Sequence, residues 1–250
     1  MTVTRLLSLP LLALAPLLLA ACGDEAATAD GAAPTGEAIP AIAPPAGQSW
    51  ADVVTVTPEG GFKVGNPDAP IKLVEYASHT CGHCATFAKT GKPVIKEKYV
   101  PTGVVSFEQR EVFLNSFDVM LAGLAQCGAK EQMQPLSDQV WQNLDAVFAG
   151  IQGNPQAVQA AESLPLNQRF AMLAQTTGVL EFFAARGLSA DQGRACLSDA
   201  AKIEALVKNT QANADKDKVT GTPTFFLNGK RLEGTTWEVV EPALQRAGAR

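Results

Sequence analysis

The hydrophobic pattern along the chain predicts a strand, a helix and a second strand in its first half. Residues 71–77, IKLVEYA, form a short apolar and β-branched run after the turn sequence GNPDAP, which is typical of a buried strand. Residues 104–112, VVSFEQREV, have the same character. Residues 81–99 between them have a helical composition, and Pro93 predicts a kink in that helix. Such a βαβ unit is expected to have a right-handed crossover.

The pattern changes to helical from about residue 116 to about residue 218, which predicts an inserted all-helical module. Residues 222–234, TPTFFLNGKRLEG, then predict a strand, a type I′ turn at Asn228-Gly229 and a short partner strand. Residues 237–246 predict a closing amphipathic helix. The predicted class is therefore α/β, in the order expected of a thioredoxin fold with a helical insertion.

The N-terminus predicts export. Residues 1–21 carry Arg5 and then the apolar run LLSLPLLALAPLLLA, which is too short and too interrupted by proline for a membrane span. The run ends in LAAC, which resembles the lipobox of bacterial lipoproteins, so Cys22 is expected to carry lipid. An ordinary signal peptide with a chance cysteine is the alternative.

Composition separates a linker from a globular domain. Residues 22–50 are rich in small residues, proline and a few acids, which predicts a disordered linker behind the lipidated Cys22. Residues 51–250 are expected to form one thioredoxin-like domain that includes the insertion. The net charge of -5, with scattered basic residues, argues against nucleic acid as a partner. Export also allows disulfides to persist.

Residues 78–84, SHTCGHC, contain two of the five cysteines and both histidines. His79, Cys81, His83 and Cys84 suit zinc or copper by type, but ligands this close together at a helix start converge poorly on one tetrahedral ion. Haem attachment would need a histidine where Ala85 stands. A disulfide that closes so small a ring is a weak structural staple. The cluster therefore favours a redox centre without metal or cofactor.

The predicted position of Cys81 favours its thiolate. Unpaired N–H groups and the positive end of the helix dipole surround a cysteine at a helix N-terminus, and His83 adds a potentially cationic imidazole. A stabilised thiolate is a good leaving group, which makes the disulfide oxidising. Cys84, one helical turn further in, is expected to be the resolving thiol.

Three features together resemble the DsbA-like branch of the thioredoxin superfamily over about residues 51–247. They are CGHC after a strand, the helical insertion, and the sequence GTPTFF at 221–226. The resemblance implies that Thr222-Pro223 is a cis-proline loop against the active site, where the backbone of Thr222 pairs with an extended substrate. A trans proline that merely starts a strand is the alternative.

The resemblance also implies roles for two further residues. Glu75 stands where the family carries a buried acid beneath the disulfide, and with a raised pKa it could move protons as Cys84 is deprotonated. The alternative is an ion pair at the rim with Lys72 or Lys218. His79 could tune the site or bind substrate, or it could be an exposed loop histidine with no role.

Cys127 and Cys196 both fall in the helical module, and some DsbA-like relatives carry a second bridge there. Paired, they would close a loop of about seventy residues, worth about 4 kcal/mol in the chain-entropy model. Two buried free thiols are the alternative.

These observations predict an enzyme: a monomeric, periplasmic, lipid-anchored thiol-disulfide oxidoreductase. Its expected partners are exported cysteine-containing proteins and a membrane or periplasmic redox partner that recycles it. Oxidation is the favoured direction. CGHC with a threonine before the proline also resembles disulfide isomerases and reductases, although no typical isomerase dimerisation domain is seen. The competing class is a copper metallochaperone that holds copper with Cys81, His83 and Cys84.

Overall fold

The computed structural model describes residues 36–250. The predicted signal peptide, Cys22 and the first part of the predicted linker lie outside the described residues. Across residues 36–250, no helix is both long and apolar enough to cross a bilayer.

One six-stranded sheet organises the domain. The parallel pair at its centre places Ile71 opposite Val105 and Ala77 opposite Glu111, and every other neighbouring pair is antiparallel. The strands, in spatial order, are β1 (Val54–Val56), β2 (Phe62–Val64), β4 (Val105–Glu111), β3 (Ile71–Ala77), β5 (Thr224–Leu227) and β6 (Lys230–Arg231). The predicted βαβ unit is therefore the centre of the sheet.

The crossover helix α1 spans Gly82–Val94 and continues as a wide π-helical turn over Ile95–Tyr99. The change follows Pro93, which has no N–H to donate and crowds the preceding turn. A π-helical segment is rare and mostly appears as one widened turn within an α-helix, as it does here. The predicted disturbance is thus a change of helix type.

The all-helical insertion follows β4 directly. Side chains of Met120, Leu121, Leu124 and Phe183 are fully buried in its own hydrophobic core. Its helices are α2 (Ser116–Ala125), α3 (Lys130–Gln142), α4 (Leu144–Gln152), α5 (Pro155–Glu162), α6 (Leu166–Thr176), α7 (Val179–Ala184), α8 (Ala190–Ser198) and α9 (Ala200–Lys216).

The chain returns to the sheet through the predicted hairpin. Asn228 and Gly229 both have positive φ, 49° and 78°, as a type I′ turn requires. The closing helix α10 spans Trp237–Arg246, the predicted range. The N-terminal hairpin β1–β2 was not predicted, because strands of three residues give almost no periodic signal.

The expected disordered linker up to residue 50 is wrong for its second part. The backbone N–H of Ile39 donates to the carbonyl of Gly248 at 2.9 Å, and that of Ile42 donates to Thr102 at 2.8 Å. Trp50 is buried, and its indole N–H donates to the carbonyl of Ile42 at 2.7 Å. Backbone hydrogen bonds, the partly buried Ile39 and the buried Trp50 thus hold this segment against the domain, which its average composition does not indicate.

Candidate active site

Cys81 is the N-cap residue of α1, with extended backbone angles of φ -83° and ψ 118°. Its Sγ accepts a hydrogen bond from the backbone N–H of Cys84 at 3.3 Å, so the thiol lies on the unpaired donors of the helix start. Both cysteines are free thiols, Cys81 being 8% exposed and Cys84 0%. Cys81 therefore carries the outer sulfur of the pair, the less buried one, and Cys84 the inner sulfur.

The two thiols differ sharply in acidity. A hydrogen bond from the Cys84 thiol, aided by Thr222 and by the backbone N–H groups of Cys84 and His83, lowers the pKa of Cys81 from 9.0 to about 5 against the opposing effect of burial. Burial raises the pKa of Cys84 strongly, and its hydrogen bond to Cys81 and the charge of Glu75 act in the same direction. At neutral pH the outer sulfur is a thiolate and the inner one a thiol.

The loop before β5 faces the outer sulfur. The Thr222-Pro223 peptide bond is cis. Antiparallel pairing of Tyr76 with Thr224 brings this loop to the end of β3. The carbonyl oxygen of Thr222 lies 3.3 Å from the Sγ of Cys81, so the loop forms one wall of the site.

Glu75 is fully buried, and its Oε2 lies 3.2 Å from the Nζ of Lys92 on α1. This is the buried position that the resemblance implies, and neither Lys72 nor Lys218 pairs with it, so the alternative of a rim ion pair is wrong. Burial raises the pKa of Glu75, against the opposing charge of Lys92. The sequence pattern did not indicate Lys92, although it lies eight positions after Cys84, on the same helical face.

The two histidines occupy opposite environments. His79 is fully buried: its Nε2 lies 2.9 Å from the Oγ of Ser137 and its Nδ1 lies 3.2 Å from Glu111. In this structure its side chain is therefore not available to bind substrate, which corrects that expectation, and the alternative of an exposed loop histidine is wrong because the residue is fully buried. His83 is exposed, and the group through which it lowers the pKa of Cys81 is its backbone N–H.

The insertion fixes the loop that leads into Cys81, through residues the sequence did not single out. Oδ1 of Asp118 accepts hydrogen bonds from the N–H of Thr80 at 2.8 Å and from the hydroxyl of Ser78 at 2.9 Å. The indole N–H of Trp141 donates to the carbonyl of Ser78 at 3.0 Å, and its ring stacks on His79. Both partners are far away in sequence, so no local pattern indicates them.

The remaining cysteine pair lies away from this site. Cys127, just after α2, and Cys196 on α8 are joined by a disulfide with a Cα–Cα distance of 5.9 Å. Both residues are only partly buried. The bridge ties two helices of the insertion together.

A family model described as Thioredoxin matches residues 57–246. The chain therefore belongs to the thioredoxin family. Among solved structures, a protein-disulfide isomerase from Novosphingobium aromaticivorans has a TM-score of 0.69 at 26% identity, covering 74% of this chain and 95% of that one. Wolbachia pipientis alpha-DsbA1 has a TM-score of 0.58 at 24% identity, covering 74% and 89%. The DsbA-like form of the thioredoxin fold, with its helical insertion, is thus confirmed.

Proteins related in sequence are also named as protein-disulfide oxidoreductases. A Rickettsia bellii protein provisionally named a protein-disulfide oxidoreductase is 28% identical over 189 residues, which are 76% of this chain and 65% of that protein. A Rickettsia typhi protein with a similar name is 28% identical over 184 residues, covering 74% and 60%. The chain thus spans less than two thirds of the length of these relatives.

Proposed function

We propose that this protein is an exported thiol-disulfide oxidoreductase that forms disulfides in other exported proteins. The observation that carries the proposal is the asymmetry of the two thiols: the pKa of Cys81 is lowered to about 5, whereas burial raises that of Cys84. A stabilised outer thiolate favours the dithiol over the disulfide, and the oxidised enzyme then passes its disulfide on.

The reaction follows from that asymmetry. A substrate thiolate attacks the sulfur of Cys81 in the Cys81–Cys84 disulfide, the mixed disulfide forms, and Cys84 leaves and takes up a proton. A second substrate thiolate attacks the substrate sulfur of the mixed disulfide and expels Cys81 as a thiolate. The substrate loses two electrons and the enzyme gains them. The wall formed by Thr222 supports backbone pairing with an extended substrate beside Cys81.

The test is oxidation of a reduced two-cysteine peptide by the oxidised protein, followed by mass spectrometry. The wild type should release oxidised peptide, Cys81→Ser should be inactive, and Cys84→Ala should accumulate a Cys81 mixed disulfide when the reduced variant meets a peptide disulfide. Absence of peptide oxidation by the wild type would contradict the proposal.

Location is part of the same proposal. The LAAC sequence at 19–22 supports lipidation of Cys22 and anchorage to a bacterial membrane from the periplasmic side. Several acyl chains on one residue would give lasting attachment. Cys22→Ala should move the protein from the membrane fraction to the soluble one, and an unchanged membrane share would contradict the anchor.

Isomerisation is the second candidate direction, favoured by the likeness to the Novosphingobium protein-disulfide isomerase. A substrate protein with scrambled disulfides distinguishes the two directions. An isomerase in its reduced, dithiol form restores the native disulfide pairing of such a substrate. The copper alternative lacks a comparable observation. His79 is turned to Ser137 and Glu111, so only His83 of the two histidines is available to a metal held by Cys81 and Cys84.

A further inference from the structure

Glu75, the buried acid beneath the active site, is connected to the surface by a series of charged side chains. Lys92, 1% exposed in its side chain, has its Nζ 3.2 Å from Glu75 and 3.5 Å from Oδ1 of Asp138. The other carboxylate oxygen of Asp138 lies 2.6 Å from Nζ of Lys96. Side-chain exposure rises outwards along this line, to 17% at Asp138 and 24% at Lys96.

The other groups around Lys92 accept a hydrogen bond from its ammonium group or pack against it, and none of them offers a proton a path to solvent. Oε1 of Gln109 accepts a hydrogen bond from Nζ at 3.0 Å, and Nζ lies over the ring of Trp141, 3.8 Å from the centroid, and 5.7 Å from that of Phe107. The other buried polar pair nearby is His79 with Glu111, and His79 contacts Ser137 and the Trp141 ring. Asp138 is therefore the partner of Lys92 that leads to solvent.

The chemistry at Cys84 needs such an exit, because its proton must leave a fully buried position each time its sulfur attacks. We propose that Asp138 is the outlet through which Glu75 and Lys92 exchange that proton with solvent. It acts through these two groups and is a positioning and relay residue, contributed by helix α3 of the insertion. The inference rests on the proposed function and extends it to the helical module.

The proton balance is simple. When Cys81 holds a mixed disulfide, the Cys84 thiol gives its proton to the Glu75 carboxylate and the new thiolate attacks the sulfur of Cys81. The Cys81–Cys84 disulfide forms and the partner thiolate leaves. Glu75 then loses its proton through Lys92 and Asp138 to water, and each group regains its starting protonation. In substrate oxidation the same path carries a proton inwards to Cys84.

A purely electrostatic role of Asp138 would also slow the inner thiol. The negative charge of Asp138 helps to raise the pKa of Glu75, so its removal would leave Glu75 a weaker base. It would also keep Glu75 charged, and that charge raises the pKa of Cys84. A relay predicts in addition that an added proton carrier bypasses the lost carboxylate, with a rate that rises in proportion to the carrier concentration. Restoration of the rate by formate in this manner therefore separates the two roles.

The test follows the reduced protein after mixing with oxidised glutathione, by tryptophan fluorescence. Attack by Cys81 is the concentration-dependent step, and attack by Cys84 on the mixed disulfide is the first-order step. Asp138→Asn should slow the first-order step by about a hundredfold, the lower end of what a positioned proton-transfer group contributes, and leave the concentration-dependent step unchanged. Asp138→Glu, which keeps the carboxylate, should retain most of the rate, and added formate should restore the rate of Asp138→Asn.

Asp145→Asn, an exposed substitution on α4 of the same module, is the matched control and should leave both steps unchanged. If Asp138→Asn does not fold, Asp138→Ser should show the same slow, formate-restored step. A first-order step as fast as in the wild type, a slowing shared with the control, or no response to formate would overturn the proposal. The assay needs only the two thiols, so its result is readable even if the wild type fails to oxidise peptides, which is the separate test of function.

Discussion

The backbone N–H of Cys84 donates to the Sγ of Cys81 at 3.3 Å, so the helix that buries one thiol also stabilises the thiolate of the other. This contact and the hydrogen bond between the two thiols lower the pKa of Cys81, whereas burial raises the pKa of Cys84. The first turn of the helix therefore makes the two thiols differ in acidity.

The first prediction concerns the source of that acidity. The pKa of Cys81 in the reduced protein should be about 5, measured by thiolate absorbance at increasing pH. Cys84→Ala should raise the pKa of Cys81, because it removes the largest contribution, the hydrogen bond from the Cys84 thiol. His83→Gln should have the smaller effect, since the backbone N–H remains. A larger effect of His83→Gln would show that its imidazole acts directly on the thiolate.

The second prediction is a pH dependence of stability. The folded pKa of Cys81 is depressed from 9.0 to about 5, so its contribution to the free energy of unfolding is complete above pH 9.0 and falls as the pH falls towards about 5. The difference in unfolding free energy between reduced wild type and Cys81→Ser should therefore shrink steadily between these pH values. Urea titrations across that range measure it, and a constant difference would contradict the depressed pKa.

The third prediction concerns the loop that leads into Cys81. Asp118 is fully buried and accepts hydrogen bonds from Ser78, Thr80 and Leu114. Asp118→Ala should lower the free energy of unfolding by about 3 kcal/mol, since buried donors lose a charged partner. Asp145→Asn, on an exposed helix face, should change it by less than about 0.5 kcal/mol. Urea unfolding of both variants is the check, and equal losses would refute the loop's dependence on Asp118.

The fourth prediction concerns the bridge in the insertion. The double variant Cys127→Ser, Cys196→Ser should lose about 4 kcal/mol of unfolding free energy in the chain-entropy model, because a long loop is released. Exchange at Cys81 should persist, since the bridge joins helices away from the site. Mapping of peptides from unreduced protein should find the two cysteines linked, and their alkylation as free thiols would contradict the bridge.

Sequence patterns located the elements that carry strong periodicity or turn chemistry. β3 and α10 have the predicted bounds, and β4 lies within one residue of its predicted ends. Those signals are local: a β-branched run, an Asn-Gly turn and an amphipathic repeat. The Cys81 position at a helix start was equally local, since it follows from CGHC directly after a strand.

The partners of buried polar groups could not be predicted, because they come from distant parts of the chain. A lysine in a helix is expected in solvent, yet Lys92 is buried between Glu75 and Asp138. His79 lies in the turn between β3 and α1, yet it is buried, and its partners Ser137 and Glu111 come from α3 and β4. Only tertiary packing brings these groups together.

The central claim is that the stabilised thiolate of Cys81 makes the Cys81–Cys84 disulfide oxidising. Equilibration with glutathione mixtures at pH 7, with the redox state followed by tryptophan fluorescence, measures the reduction potential of this couple. The stabilised Cys81 thiolate predicts a potential nearer about -120 mV, as in a strong oxidant, than about -270 mV, as in thioredoxin. A potential as low as that of thioredoxin would contradict the account and favour a reductase.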